Sequence, residues 1–211
     1  VMIENVRGIL DAAFVDYREY ISTELGNLGF NPFWKLLNSS DFGVPQLRPR
    51  VVIVAIAKEF SNIFQWPSTS VEPSLTVGET LYDLMVSRGW KGARKWKEIA
   101  NDIAPTIVGG SKKHGGPDLG PTRAKRAWAT LGVDGLGIAN EPPSSDFVGV
   151  PRFTVEMVAR LQGFPDEWQI TGKKTTAYRQ VGNAFPPPVA CAVGTEIHRA
   201  LSSRQLILDI A

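Results

Sequence analysis

The chain has 211 residues, 43% hydrophobic and 21% charged, a composition ordinary for a folded globular protein. Its net charge of +2 is close to neutral, so a nucleic-acid partner has to be sought in local clusters. One cysteine excludes an internal disulfide framework, and one cysteine with only two histidines argues against a zinc centre. No apolar run approaches the roughly 20 residues that cross a bilayer, and no basic-then-apolar leader is seen. The expectation is a cytoplasmic protein without a membrane partner or a metal.

The first third reads as α/β. Val1-Met2-Ile3 is a short strand candidate that starts without leading polar residues, which suggests a piece of a longer chain or one subunit of a split protein. Phe14, Tyr17, Ile21, Leu25 and Leu28 recur every three to four residues and predict a helix with one apolar face. Gly26, Asn27 and Gly29 would end it. "FWKLLNSS" is strand-like but ambiguous. "VVIVAIA", residues 51–57, is apolar and β-branched, the pattern of a strand buried on both faces.

The middle changes character after the linker-like "WPSTSVEP". "TVGETLYDLMVSRG" and "GARKWKEIANDIA" have helical periodicity. Beyond Pro105 the pattern dissolves into "TIVGGSKKHGGPDLGPTRAKRAW", the composition of a functional loop or a disordered segment. Regularity returns with "FTVEMVARLQGFP", where Thr154 is an N-cap candidate and Gly163 a stop. Val189, Val193, Ile197 and Leu201 predict a core-facing final helix that begins near Pro186.

Four clusters carry chemistry. In "IENVRG", Glu4 and Asn5 stand at the end of the apolar strand, where α/β proteins place ligand-contacting groups; a surface Glu before a turn Asn has the same pattern. In "DFGVPQLRPR", Gln46, Arg48 and Arg50 alternate, so an extended chain puts all three on one side. Pro45 and Pro49 favour that form. An amide and two guanidinium groups suit a polar heterocycle or a phosphate, although a solvated strand edge is equally compatible. Between residues 112 and 126, Lys112, Lys113, Arg123, Lys125 and Arg126 oppose only Asp118. Cations on a glycine-rich loop suit phosphate contacts, and a solvated loop fits as well. In "AYRQVGNAFPPPVA", Gly182-Asn183 reads as a polar tight turn before a helix, a weak cue for an anionic group.

Together and in this order, these segments resemble the bacterial cytosine-C5 DNA methyltransferases. "ENVRG" resembles the family's ENV block and "DFGVPQLRPR" its QxRxR block, while "PRFTVEMVARLQGFPDEW" and "YRQVGNAFPPPVACAVG" resemble its last two blocks. The resemblance implies an enzyme that flips a cytosine out of double-stranded DNA and methylates C5 from S-adenosylmethionine, in a restriction-modification setting. It implies that Glu4 and Arg50 contact the base at N3 and O2. Arg48 joins them in the catalytic set, with Asn5 and Gln46 as support for the pocket. Asn183 and Ala184 would lie beside the cofactor's methionine end, and Lys112, Lys113, Arg123, Lys125 and Arg126 would meet DNA.

The implied fold is α/β: the C-terminal part of a Rossmann-like methyltransferase sheet with flanking helices, plus a smaller irregular target-recognition domain. Residues 1–66 and 173–211 would belong to the catalytic domain and 67–172 to the recognition domain. The departures matter too. The family's nucleophile lies in a Pro-Cys loop upstream of the ENV block, and its glycine-rich cofactor loop lies further upstream. Neither precedes Glu4. Cys191, flanked by alanines in the last helix, reads as a packing residue. The chain is therefore expected to hold an incomplete S-adenosylmethionine site and to be inactive alone, with an N-terminal-half subunit as a candidate partner. A non-catalytic DNA-specificity subunit or a decayed remnant is the alternative. Half a sheet would also expose an apolar edge and face.

Overall fold

The computed structural model describes residues 1–70, 72–109 and 117–208. Among them are three strands, β1 (Met2–Val6), β2 (Phe30–Asn38) and β3 (Pro49–Ala57). Seven α-helices accompany them: α1 (Val15–Asn27), α2 (Val77–Val86), α3 (Ala93–Ile99), α4 (Thr122–Thr130), α5 (Val155–Leu161), α6 (Lys174–Asn183) and α7 (Pro187–Leu208). The α/β class is as expected. The chain forms two compact units, one of residues 1–38, 49–70 and 188–211, the other of residues 39–48 and 71–187. These boundaries differ from the sequence-based ones: residues 39–48 and 173–187 group with the second unit.

The first unit is built on a sheet of order β1-β3-β2, with both pairs antiparallel. β3 is central, and Val51 to Ile56 are buried, as its unbroken β-branched run requires. β2 settles the ambiguity of "FWKLLNSS" as strand. Phe33 packs on Phe64, with ring centroids 5.2 Å apart. α1 forms where the periodicity placed it, but none of its residues is buried. Phe14, Tyr17 and Leu28 are exposed, as are Met2, Ile3 and Val6 on β1. Several apolar side chains of this unit are thus uncovered among the described residues.

Two expectations for the first unit are corrected. Glu4 and Asn5 lie within β1, not beyond its end, because pairing with β3 runs on to Val6↔Arg50. Cys191 is exposed, not packed. Among the described side chains of α7 the buried ones are Val189, Val193 and Ala200, and two residues beyond Val189 the helix has turned roughly 200°. Ile197 is half-buried and Leu201 exposed, so the core-facing stripe is narrower than its spacing suggested.

The second unit holds the main apolar core, which runs from Val77 to Val181 in sequence. Thr76 caps α2 by accepting the Glu79 N–H, while Glu79 accepts the Thr76 N–H in return. At Gly78 any Cβ would lie 2.5 Å from the Lys97 carbonyl, so glycine lets α2 and α3 approach backbone to backbone. Thr154 caps α5 through the Met157 N–H, and Gly163, with φ +81°, ends it, both as expected. Phe153 takes the edges of Trp96 and Trp128 at 86° and 88°.

α4 corrects the reading of this stretch as irregular. Its residues are good helix formers, but Trp128 is its only buried side chain, so no apolar stripe marks it in sequence. That anchor generates a prediction. Trp128→Ala should lower stability by roughly 3–5 kcal/mol in a urea melt. Trp128→Phe should cost distinctly less, because the indole N–H is buried without a hydrogen-bond partner and its removal leaves nothing unpaired.

Candidate active site

In the first unit, two of the motif residues form an ion pair on the sheet. Glu4 stands opposite Val52, and Arg50 is two residues from Val52 along β3, so both side chains project from one face. Arg50 Nε lies 2.6 Å from Glu4 Oε1, with side-chain exposures of 12% and 28%. Arg50 Nη1 donates to the Pro49 carbonyl at 2.9 Å, which leaves Nη2 for another acceptor. Burial pushes the Arg50 pKa below its ordinary value, against the opposing pull of Glu4. Beside the pair, Asn5 Oδ1 accepts the Val6 N–H at 2.8 Å and orders the chain as it leaves β1.

In the second unit, other motif residues form a buried polar network. Arg48 is 1% exposed, and Gln46 and Gln162 are fully buried. The Arg48 guanidinium donates to the carbonyls of Ile107, Gly182 and Ala184, the last two at 2.9 and 3.1 Å. Gln46 accepts the Ile107 N–H at 2.8 Å and donates to Gln162 Oε1. Gln162 donates onward to the Val181 carbonyl at 2.8 Å. The alternation of Gln46, Arg48 and Arg50 therefore does not make one binding surface. Gln46 and Arg48 are internal to the second unit, whereas Arg50 stands on β3. Sequence reasoning missed Gln162, whose only signal was its place before the Gly163 stop.

Asn183 and Ala184 lie at the end of α6, and Gly182-Asn183 forms its last turn, not the separate tight turn expected. A Cβ at Gly182 would fall 2.5 Å from Gly109 Cα, and one at Gly109 would strike the Asn183 carboxamide. The backbone at Val108–Gly109 thus lies directly against α6. Tyr178 on the same helix sits 2.8 Å from the Val108 carbonyl and 2.7 Å from the Asp118 carbonyl. Burial, with Asp118 nearby, holds its phenol well above the usual range, so it stays a donor. The Asn183 side chain is exposed and makes no hydrogen bond in the structure.

Of the expected DNA-contacting cations, Lys112 and Lys113 lie outside the described residues. Lys125 is held by Asp118 at 2.6 Å, while Arg123 and Arg126 are exposed on α4. Among the described residues no group of His, Cys, Asp and Glu could hold a metal, and no helix is long and apolar enough to cross a membrane.

The network and the α6 contact yield two predictions for urea or thermal unfolding. Arg48→Ala, which leaves three inward carbonyls without their donor, should destabilise by roughly 3 kcal/mol or more. Gly182→Ala should cost roughly 1–3 kcal/mol, because the Val108–Gly109 backbone has to move aside.

Residues 1–199 match the family described as C-5 cytosine-specific DNA methylase. Over 206 residues the chain is 57% identical to the Type II methyltransferase M.NaeI of Lentzea aerocolonigenes, a match covering 96% of this chain and 49% of that protein. Over 204 residues it is 49% identical to the Type II methyltransferase M.NgoMIV of Neisseria gonorrhoeae, covering 95% of this chain and 64% of that protein. The chain thus spans about half to two-thirds of the length of these curated relatives. In fold it is similar to the Dnmt2 methyltransferase of S. pombe, with a TM-score of 0.56 at 19% identity, covering 95% of this chain and 66% of that one. With the family matched across nearly its whole length and the motif side chains set out as described, the chain belongs to the C-5 cytosine-specific DNA methylases.

Proposed function

We propose that this chain is the C-terminal portion of a DNA (cytosine-5-)-methyltransferase of restriction-modification type, acting on double-stranded DNA. The observation that carries the reading is the Glu4–Arg50 pair: a carboxyl and a guanidinium side by side on one sheet face, with Arg50 Nη2 unengaged. A cytosine flipped from the duplex offers an N3 edge to Glu4 and an O2 to that nitrogen. A proton shared between the Glu4 carboxyl and N3 draws electron density from the ring as a thiolate adds at C6. The C5–C6 π pair then takes the methyl at C5, and loss of the C5 proton expels the thiolate and restores the double bond. Gln46, Arg48 and Gln162 are positioning residues in this reading. They fix the backbone on which Asn183 and Ala184 are displayed.

S-adenosylmethionine supplies the electrophilic methyl group. The residues present fit its polar end: the exposed Asn183 carboxamide is unengaged, and Ala184 beside it is small. The first unit is the catalytic part and the second the target-recognition part, with residues 39–48 and 173–187 linking the motif blocks. The sequence contains no Pro-Cys pair, and its one cysteine is the exposed Cys191. The nucleophile and the glycine-rich cofactor loop therefore come from an N-terminal methyltransferase half. The uncovered apolar side chains of the first unit, including Ile3, Phe14 and Tyr17, suit such a partner.

The test is transfer of labelled methyl groups to duplex DNA. The chain alone should give none, and the chain mixed with an N-terminal half carrying the Pro-Cys loop should restore it. In the mixture Glu4→Gln should reduce the rate by about 10²–10³-fold, whereas Cys191→Ser should leave it unchanged. Methylation by the chain alone that Cys191→Ser abolishes would overturn the proposal. Duplex binding with no methylation in any mixture would favour a non-catalytic specificity subunit.

A further inference from the structure

Four of the eight arginines placed in the second unit have an acidic or internal partner, Arg48 through backbone carbonyls. Arg88 pairs with Glu141, Arg152 with Asp134, and Arg160 with both Asp83 and Asp166. Lys125 is held by Asp118, and Lys97 lies over the Tyr82 ring at 5.3 Å. Lys91, Arg94 and Lys95 differ. All three are exposed, and none enters an ion pair in the structure. In the short stretch from Lys91 to Glu98, only Glu98 opposes them.

The fold explains why these three point outward together. Ala93, Trp96 and Ala100 form the buried side of α3. At about 100° per residue, Arg94 and Lys95 fall on the opposite side, which Glu98 shares, and Lys91 lies exposed in the turn just before α3. α4 repeats the arrangement: Trp128 is buried, and Arg123 and Arg126 lie on the far side. The two helices are joined at their C-terminal ends. The Trp96 indole donates to the Gly132 carbonyl at 3.1 Å. A Cβ at Gly132 would sit 3.2 Å from Ile99 Cγ2. Phe153 is clamped between Trp96 and Trp128. Apart from Lys91, the cations are thus carried on adjoining packed helices, so little backbone freedom has to be lost when they engage a partner.

We infer that Lys91, Arg94 and Lys95 form a phosphate-gripping face for duplex DNA, alongside Arg123 and Arg126 on α4; this rests on the DNA-methyltransferase reading above. Unpaired lysines and arginines on a fixed surface match the sequence-independent part of DNA binding, in which each neutralised phosphate releases counterions. The face anchors the duplex and does not read bases.

The experiment measures the affinity of the full chain, alone and with an N-terminal half, for a duplex oligonucleotide between about 50 and 200 mM salt. In the triple variant Lys91→Gln, Arg94→Gln, Lys95→Gln, the slope of log affinity against log salt should fall by about 2–3. The wild type should then lose about 40-fold more affinity than the variant across that range. Relative affinity among duplex sequences should not change, and the charge-conserving Lys91→Arg, Arg94→Lys, Lys95→Arg variant should keep the wild-type slope. An unchanged slope in the Gln variant, with a reduced one in Arg123→Gln, Arg126→Gln, overturns the α3 face and leaves DNA binding standing. A changed sequence preference also overturns it. No duplex binding by the wild type in either form removes both the face and the methyltransferase reading.

Discussion

The buried Arg48 guanidinium is the constraint on which the site geometry depends. A charged group removed from water needs its donors satisfied, and here the acceptors are backbone carbonyls. Those carbonyls come from Ile107, Gly182 and Ala184, far from Arg48 in sequence. One side chain therefore fixes the path of two remote segments. Gln46 and Gln162 extend the same logic, each using amide donor and acceptor to bind further backbone. Three of the four motif blocks meet in this network, which gives a physical reason for finding polar residues inside the second unit.

The glycines at 109 and 182 complete that constraint. Hydrogen bonds hold α6 where it is, and the absence of side chains at these two positions permits the backbone contact. Tyr178 adds a third tie from α6, to the carbonyls of Val108 and Asp118. The segment "YRQVGNA" is thus a structural block. Tyr178 and Gly182 place the helix, and the exposed Asn183 is left available.

Function in the proposed enzyme divides along chemical lines. The Glu4–Arg50 pair is polar, partly exposed and held by strand register, which suits groups that exchange partners when a base arrives. Two further sets of arginines stand out beyond the sheet. Those that hold loops together are paired with carboxylates, as Arg160 is with Asp83 and Asp166. Those on the outer sides of α3 and α4 are unpaired, and bare cations are what a polyanion requires.

The sequence alone determined the family and much of the local structure, because both depend on near neighbours. The β-branched run of β3, the Thr154 cap and the Gly163 stop are short-range effects, and they appear where predicted. It failed where long-range packing decides. α4 carries no apolar stripe because one tryptophan suffices to anchor it. Cys191 has a helical phase that turns it outward. The even spacing of Gln46, Arg48 and Arg50 suggested one surface, but the chain passes from one compact unit to the other between Arg48 and Pro49. Only the tertiary structure separates a buried clamp from a partly exposed ion-paired arginine two positions away, because burial and hydrogen-bond partners are set by segments that are distant in sequence.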